Sequence, residues 1–358
     1  MNKLSLVVFS ILLATGQVAQ ANSLQCFQLM KFGSKTNSEP RAAKRMIDFN
    51  IPHAQAAEGR ARVDQAFLAE TLFVVPKNDG EAIRAVDILQ ALGAPNLRVS
   101  KQAWGATLDK EGLPAQLPSH IKRLVAFEMP SVELETAYLE QGIEVVILDH
   151  HVYAGKGLDR TNPESSIEQL AKLVNWPLSK VDMAIAVNDR GYIPGMKAMG
   201  LKDAEIREIR TYDLIAQGRT AEQVAELTQI SLGEIAKLKV EAGVTIIDRP
   251  VADEGILKQE LAIRTSDGIA HTLLVTNKRI SFSGDPKVVK ALLDTDFVLL
   301  GYEAGTFDKY AGGDPKASMY FGMNIQQAPR GAKELVPLGI QRRIREVVRQ
   351  TRLEGGHQ

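Results

Sequence analysis

Asp149, His150 and His151 stand in succession at the end of an apolar run. Two imidazoles and a carboxylate placed there are costly unless they are paired or liganded, so chemistry is sought here first. Further carboxylates occupy the same place after other apolar runs. Lys77, Asn78 and Asp79 follow residues 72–75, Glu128 follows 124–127, and Asn188, Asp189 and Arg190 follow 181–187. Each run reads as a buried strand, and in an open parallel sheet ligands meet the carboxyl ends of the strands. Acidic oxygens beside two imidazoles are the ligand set of a hard or borderline divalent cation, Mn2+ or Mg2+ ahead of zinc. A single cysteine, Cys26, excludes an intramolecular disulfide and any centre built from several thiolates. Plainer roles stand beside these: Asp79 as a helix cap, Glu128 and Asp189 as loop carboxylates, Lys77 as a solvated lysine.

The elements that would position these groups alternate. After the strand at 72–75, Glu81, Arg84, Asp87 and Gln90 draw a polar stripe on an apolar helix that ends at Gly93. Ser131 caps a helix ending at Gly142, and 143–148 is a nearly unbroken apolar strand. Asn162 caps the next helix with Pro163 in its first turn, and Ile167, Leu170, Ala171 and Val174 share one face. Buried strands alternating with helices predict an α/β fold, a doubly wound parallel sheet covered on both faces. From 201 to 243 the pattern is wholly helical, with Thr220/Gln223 and Ser231/Glu234 as capping boxes. The outline of 220–243 is that of a helix-turn-helix, read here as a structural hairpin between domains. Beyond it, strands at 273–275, 280–282 and 297–300, with Ser283-Gly284 as a turn, predict a smaller mixed α/β domain. A last helix turns Ile340, Ile344 and Val347 one way and Arg342, Arg343, Arg345, Arg349 and Arg352 mostly the other, towards solvent.

With 358 residues, 45% hydrophobic and 24% charged, the chain has the make-up of two ordinary domains and is too polar to be mainly membrane-embedded. Its 43 basic residues offset 43 acidic ones, which removes any global electrostatic case for stable DNA binding or an anionic membrane. Residues 1–21 read as a signal peptide: Lys3, then the run 4–14, too short to span a bilayer, then Ala19-Gln20-Ala21 as the cleavage signal. Cleavage after Ala21 implies export to the periplasm or medium and leaves no membrane span. Gln25 argues against lipidation of Cys26, since lipoprotein processing favours a small residue there. The domain plan is signal peptide 1–21, a domain 22–215 that opens on a lead-in to about 68 and carries the candidate metal ligands, helical connector 216–245, and a smaller domain 246–358.

The segment Val145-Val146-Ile147-Leu148-Asp149-His150-His151 resembles the strand and signature triplet of the DHH phosphoesterase superfamily. Asn162-Pro163-Glu164-Ser165-Ser166 and Val187-Asn188-Asp189 sit where that family has its later acidic motif, and Gly312-Gly313-Asp314-Pro315 is similar to its glycine-rich substrate loop. The match covers roughly residues 70 to 330. It departs at the first motif, where Phe73 and Lys77 replace a histidine and an aspartate, at Glu128 in place of an aspartate, and at Asp314 in place of a histidine. The resemblance therefore implies one ion rather than two, held by Asp79, Glu128, His150 and Asp189. It further implies that His151 contacts phosphate, Asp149 orients the histidines, Lys77 stands near the vacated metal position, and Arg190, Gly312, Gly313 and Asp314 bind substrate. For the domains it implies phosphate binding in 22–215 and substrate binding in 246–358. The expected activity is hydrolysis of a phosphodiester or phosphoanhydride in a nucleotide, a short oligonucleotide or a pyrophosphate-like substrate. The competing reading is a non-catalytic exported protein that binds a phosphorylated ligand; a homodimer is compatible with either.

Overall fold

A computed structural model describes residues 47–355 apart from 104, 154–157, 276–278, 296–306, 314–317 and 326–337, all within one compact unit, Arg45–Gln358. The signal peptide, Cys26, the strand at 297–300 and Asp314 lie outside the described residues. Two short helices, α1 (His53–Arg62) and α2 (Gln65–Ala69), precede the first sheet. That sheet consists of β1 (Thr71–Val75), β2 (Leu97–Val99), β3 (Arg123–Phe127) and β4 (Glu144–Leu148). Its order is β2-β1-β3-β4 and every pairing is parallel. Between the strands run α3 (Gly80–Leu92) and α4 (Val132–Glu140). A two-residue pairing of β5 (Val152–Tyr153) with β6 (Leu158–Asp159) then leads to α5 (Ser166–Leu173), α6 (Lys180–Ala198) and α7 (Asp203–Ala216).

Successive strand residues bury on opposite faces, which is why the runs are apolar throughout. Phe73, Val75, Val125 and Phe127 join a core with Ala85 and Leu89 of α3 and Ile167 and Leu170 of α5. Val74, Leu124 and Ala126 join a second core with Leu108, Met129 and Tyr138. The sheet is thus covered on both sides, the doubly wound arrangement.

In this first domain the local sequence pattern misleads at three places. Residues 181–187 are helical, not a strand, because Ser179 and Asp182 form a reciprocal capping box that starts α6. The helix expected at Asn162 begins at Ser166, capped by Ser165 and Glu168, while Asn162 accepts the Glu164 amide in a turn just before it. The polar stripe of α3 is half buried: Arg84 is 1% exposed and bonds Asp182 at 2.6 Å, and Glu81 is 2% exposed.

The second sheet follows α8 (Ala221–Ile235). Its strands are β7 (Lys239–Glu241), β8 (Val244–Ile247), β9 (Thr272–Val275), β10 (Arg279–Gly284), β11 (Phe307–Gly313) and β12 (Met319–Ile325), in the order β11-β12-β10-β9-β8-β7. Only β8 and β9 run parallel, so the sheet is mixed. On one face α10 (Pro286–Asp294) and α11 (Leu338–Gly355) supply Val288, Leu292, Ile344 and Val347 to a core with Phe282 and Phe321. On the other, Leu257 of α9 (Glu254–Ile263) packs on Ile247 and Leu274. Ser231 lies buried inside α8 and caps nothing, so 220–243 is one helix and the start of a hairpin, with no second helix. Ala242 and Gly243, both at positive φ, turn β7 into β8. Ser283-Gly284 is not a turn but the paired end of β10. On α11, Arg343 and Arg345 pair with Glu346 and Asp248 at the surface, whereas Arg352 reaches Asp285 and His271. Among the described residues no helix is long and apolar enough to cross a membrane.

Candidate metal centre

Glu128 is the first residue beyond β3. Its amide extends the ladder to the Leu148 carbonyl at 2.9 Å, and its backbone then turns into the left-handed region at φ 52°. Such a conformation is uncommon for a residue with a β-carbon and persists only when its surroundings hold it. Here the Ser166 hydroxyl, at the start of α5, donates to Glu128 Oε1 at 2.8 Å. The same oxygen lies 3.4 Å from His150 Nε2 and 3.9 Å from His151 Nδ1. From the middle of α6, Asp189 Oδ2 approaches His150 Nε2 to 2.5 Å. Glu128, His150, His151 and Asp189 each offer a ligand atom, all within 4.8 Å of one another.

Asp149 builds the platform under the histidines. Its side chain is buried, and Oδ1 accepts the amides of His150 and His151 at 2.8 and 3.0 Å and stands 3.0 Å from His151 Nδ1. Gln169 of α5 donates to the Asp149 carbonyl, fixing the turn from behind. His150 is nearly enclosed, while the His151 side chain is 42% exposed and forms the open side of the cluster.

Asp79 does cap α3, accepting the Ala82 amide at 2.8 Å through Oδ1. Its Oδ2, Asn78 Oδ1 and Glu81 Oε2 are buried without a hydrogen-bond partner among the described residues. The other Glu81 oxygen accepts the Ile167 amide, the residue after Ser166. The α5 start therefore holds two acidic side chains at once.

Electrostatics follow from this crowding. Burial, then the charge of Glu128, pushes the Asp79 carboxyl up to about 8. Burial, then the charges of Asp189 and Glu128, holds Glu81 well above the usual carboxylate range. Burial works against a proton on His150, but hydrogen bonds to Asp189 and Glu128 outweigh it and raise the imidazole to about 10. His151 is raised chiefly by its hydrogen bond to Asp149. Burial opposes the charge on Asp189, yet the bond to His150 keeps it below the ordinary value. The cluster is a sink for positive charge. Imidazole nitrogen and carboxylate oxygen converging there, with buried acceptor oxygens left over, fit a divalent cation of the Mn2+ or Mg2+ class.

Phe73 is fully buried in the core, 6.4 Å from Phe67, and Lys77 is exposed beyond β1. Arg190 donates to the Glu168 carboxylate at 2.8 Å. Gly312 and Gly313 are paired residues of β11 opposite Tyr320 and Met319, not a loop or turn. Sequence reasoning passed over Ser166 and Glu81; the Ser165/Glu168 capping signature marks the helix start, but nothing in the spacing aims Ser166 at Glu128.

No family model and no curated protein matches the chain. Among solved structures it is similar to RecJ from Thermus thermophilus in complex with Mg2+, at 12% identity and TM-score 0.39, over 85% of this chain and 53% of that one. It is also similar to an exonuclease RecJ bound to manganese, at 12% identity and TM-score 0.38, over 86% of this chain and 96% of the other. A third likeness is to the DHH domain of a member of a ribosomal-protein family, at 12% identity and TM-score 0.39, over 83% and 89%. The chain spans about half the length of the Thermus RecJ.

Proposed function

We propose that this is an exported, divalent-metal-dependent phosphohydrolase of the DHH type, acting on a phosphodiester or phosphoanhydride in a nucleotide, short oligonucleotide or pyrophosphate-like substrate. The observation that carries the reading is the convergence of Glu128, His150, His151 and Asp189 within 4.8 Å at the carboxyl end of a parallel sheet. Bound there, one Mn2+ or Mg2+ would lower the pKa of water and polarise a phosphoryl oxygen. The protein's own residues prepare the site. Asp149 fixes the His151 ring, and Ser166 fixes Glu128. His151, on the open side, is the group best placed to meet a phosphate oxygen, and the exposed Lys77 supplies an ammonium that can neutralise one.

A second reading is favoured by Phe73. Its ring is buried in the core where the family pattern has a histidine, so that position holds no metal, and a one-ion site suits a receptor for a phosphorylated ligand. One experiment separates the two: the mature protein is titrated with Mn2+ and assayed on phosphodiesters, phosphomonoesters and pyrophosphate, alongside His150→Ala and Asp189→Ala. Turnover lost in both variants establishes the hydrolase. Bound Mn2+ without turnover establishes the receptor, and neither ion nor turnover removes both. Export is tested separately, by fractionation and amino-terminal sequencing for a start at Asn22.

A further inference from the structure

Behind the cluster, α7 carries a buried arginine that the proposed chemistry does not use. Arg210 Nη1 donates to Asn188 Oδ1 at 3.1 Å and to Asp213 Oδ2 at 2.6 Å, and its Nε donates to Gln259 Oε1 of α9 at 3.1 Å. Its guanidinium carbon lies 4.6 Å from the centroid of the Tyr192 ring. Asn188 is the neighbour of Asp189. Asp213 Oδ1 accepts the Gly80 amide at 3.0 Å, beside Asp79. One planar fork thus fixes the residues next to two acidic groups of the site and ties them to a helix that packs on the second sheet.

The surroundings are built to keep that fork in place. Tyr192 interrupts α6 at φ 50°, ψ −145°, a backbone that tyrosine rarely adopts, with its ring on Arg210. Just beyond, Gly268 lies so close to α6 that a β-carbon there would stand 2.8 Å from the Pro194 nitrogen. The packing of α7 on α9 does not itself need Arg210. Arg207, one turn earlier, already bonds both carboxylate oxygens of the buried Glu260 on α9.

We infer that Arg210 is a positioning residue for the metal centre, which sets Asp189 and Asp79 through Asn188 and Asp213 and couples them to Gln259. The inference rests on the reading of Asp189 as a ligand. Outer groups that orient metal ligands typically change metal affinity by about 10–100-fold. Lysine cannot replace the fork, because an ammonium cannot address Asn188, Asp213 and Gln259 in one plane.

The test uses the full mature chain with Arg210→Met, Arg210→Lys and, as control, Arg207→Met, which cuts the same helix pair away from the site. Mn2+ affinity is measured by calorimetry, and the ring nitrogens of His150 are followed by NMR without metal. The expected result is Mn2+ binding weakened about 10–100-fold in both Arg210 variants, with a shift of the Asp189-bonded His150 nitrogen. Arg207→Met should melt earlier yet keep Kd within about twofold and an unshifted His150, as for a contact outside the ligand shell. Equal effects from both arginines, or a native Kd and spectrum in Arg210→Met, overturn the inference. Should the Arg210 variants not fold, Gln259→Ala carries the test: a shifted His150 nitrogen supports the coupling and an unshifted one refutes it. The metal-free spectrum separates this inference from the metal reading. A His150 shift in a protein that takes up no Mn2+ supports the positioning while removing the metal centre.

Discussion

At the residue scale, His150 decides how the site meets a cation. Without metal its imidazole holds a proton up to about 10, because Asp189 and Glu128 flank Nε2. To ligate through that nitrogen it must give the proton up, so ion uptake and proton release are linked. Below about pH 10 the folded protein gives up one His150 proton per ion, and Mn2+ binding should tighten by about tenfold per pH unit. Calorimetry at pH 6, 7 and 8 reads this directly, and a pH-independent Kd would exclude His150 as a ligand through Nε2. A second expectation concerns Ser166. Ser166→Ala removes the donor that steers Glu128 Oε1, and Mn2+ affinity should fall about tenfold at a stability cost of about 1 kcal/mol. An unchanged affinity would mean that the left-handed backbone alone holds Glu128. The Asp149-His150-His151 triplet was legible because a polar run after an apolar strand is conspicuous. Ser166 and Arg210 were not: Ser166 reaches Glu128 over 38 residues, Arg210 reaches Asn188 and Gln259 over 22 and 49, and its i, i+3 pair with Asp213 alone reads as an ordinary helix ion pair.

At the element scale, β1 and β3 could be read because both are buried on both faces and so are almost wholly apolar, whereas β2, three half-buried residues with Arg98 in the middle, gave no such run. The same rule misled at 181–187. Ala184, Ile185, Ala186 and Val187 are all buried, so a helix enclosed on every side looks like an interior strand. The Ser179/Asp182 cap would have settled it, and with it the fact that Asp189 reaches the site from a helix. In the second sheet, β11 was missed because Gly312-Gly313 reads as a glycine-rich loop, whereas pairing with β12 holds it extended. The kink of α6 supplies a prediction at this scale. Gly268 has φ 77° and no room for a β-carbon against Ile193 and Pro194. Gly268→Ala should cost more than about 1 kcal/mol, because strained backbone and a backbone clash add. A thermal melt checks it, and an unchanged midpoint would show that α6 can shift freely at its kink.

For the whole molecule, the charge of the cluster makes stability depend on pH in a way that metal reverses. His150 has its folded-state pKa raised from 6.5 to about 10, so the stability it contributes is complete below 6.5 and is lost as pH rises towards 10. Asp79 is raised from 3.8 to about 8, so folding favours its protonated form and stability declines between those values. Both shifts act in one direction from pH 6.5 to 8, and the metal-free protein should weaken steadily across that window. Asp189, held below its ordinary value, acts only on the acid side. A cation replaces the lost positive charge, and at a hundredfold excess over Kd a ligand that binds only the folded state adds about 2.7 kcal/mol. Because binding itself tightens with pH, at a fixed Mn2+ concentration the gap between metal-loaded and metal-free protein should widen from pH 6 to pH 8. Urea melts at the two pH values, with Mn2+ and with chelator, measure that gap. A gap that narrows with pH, or metal-free stability that climbs over the same range, would show that the acidic groups around His150 are not the ones that take up the ion.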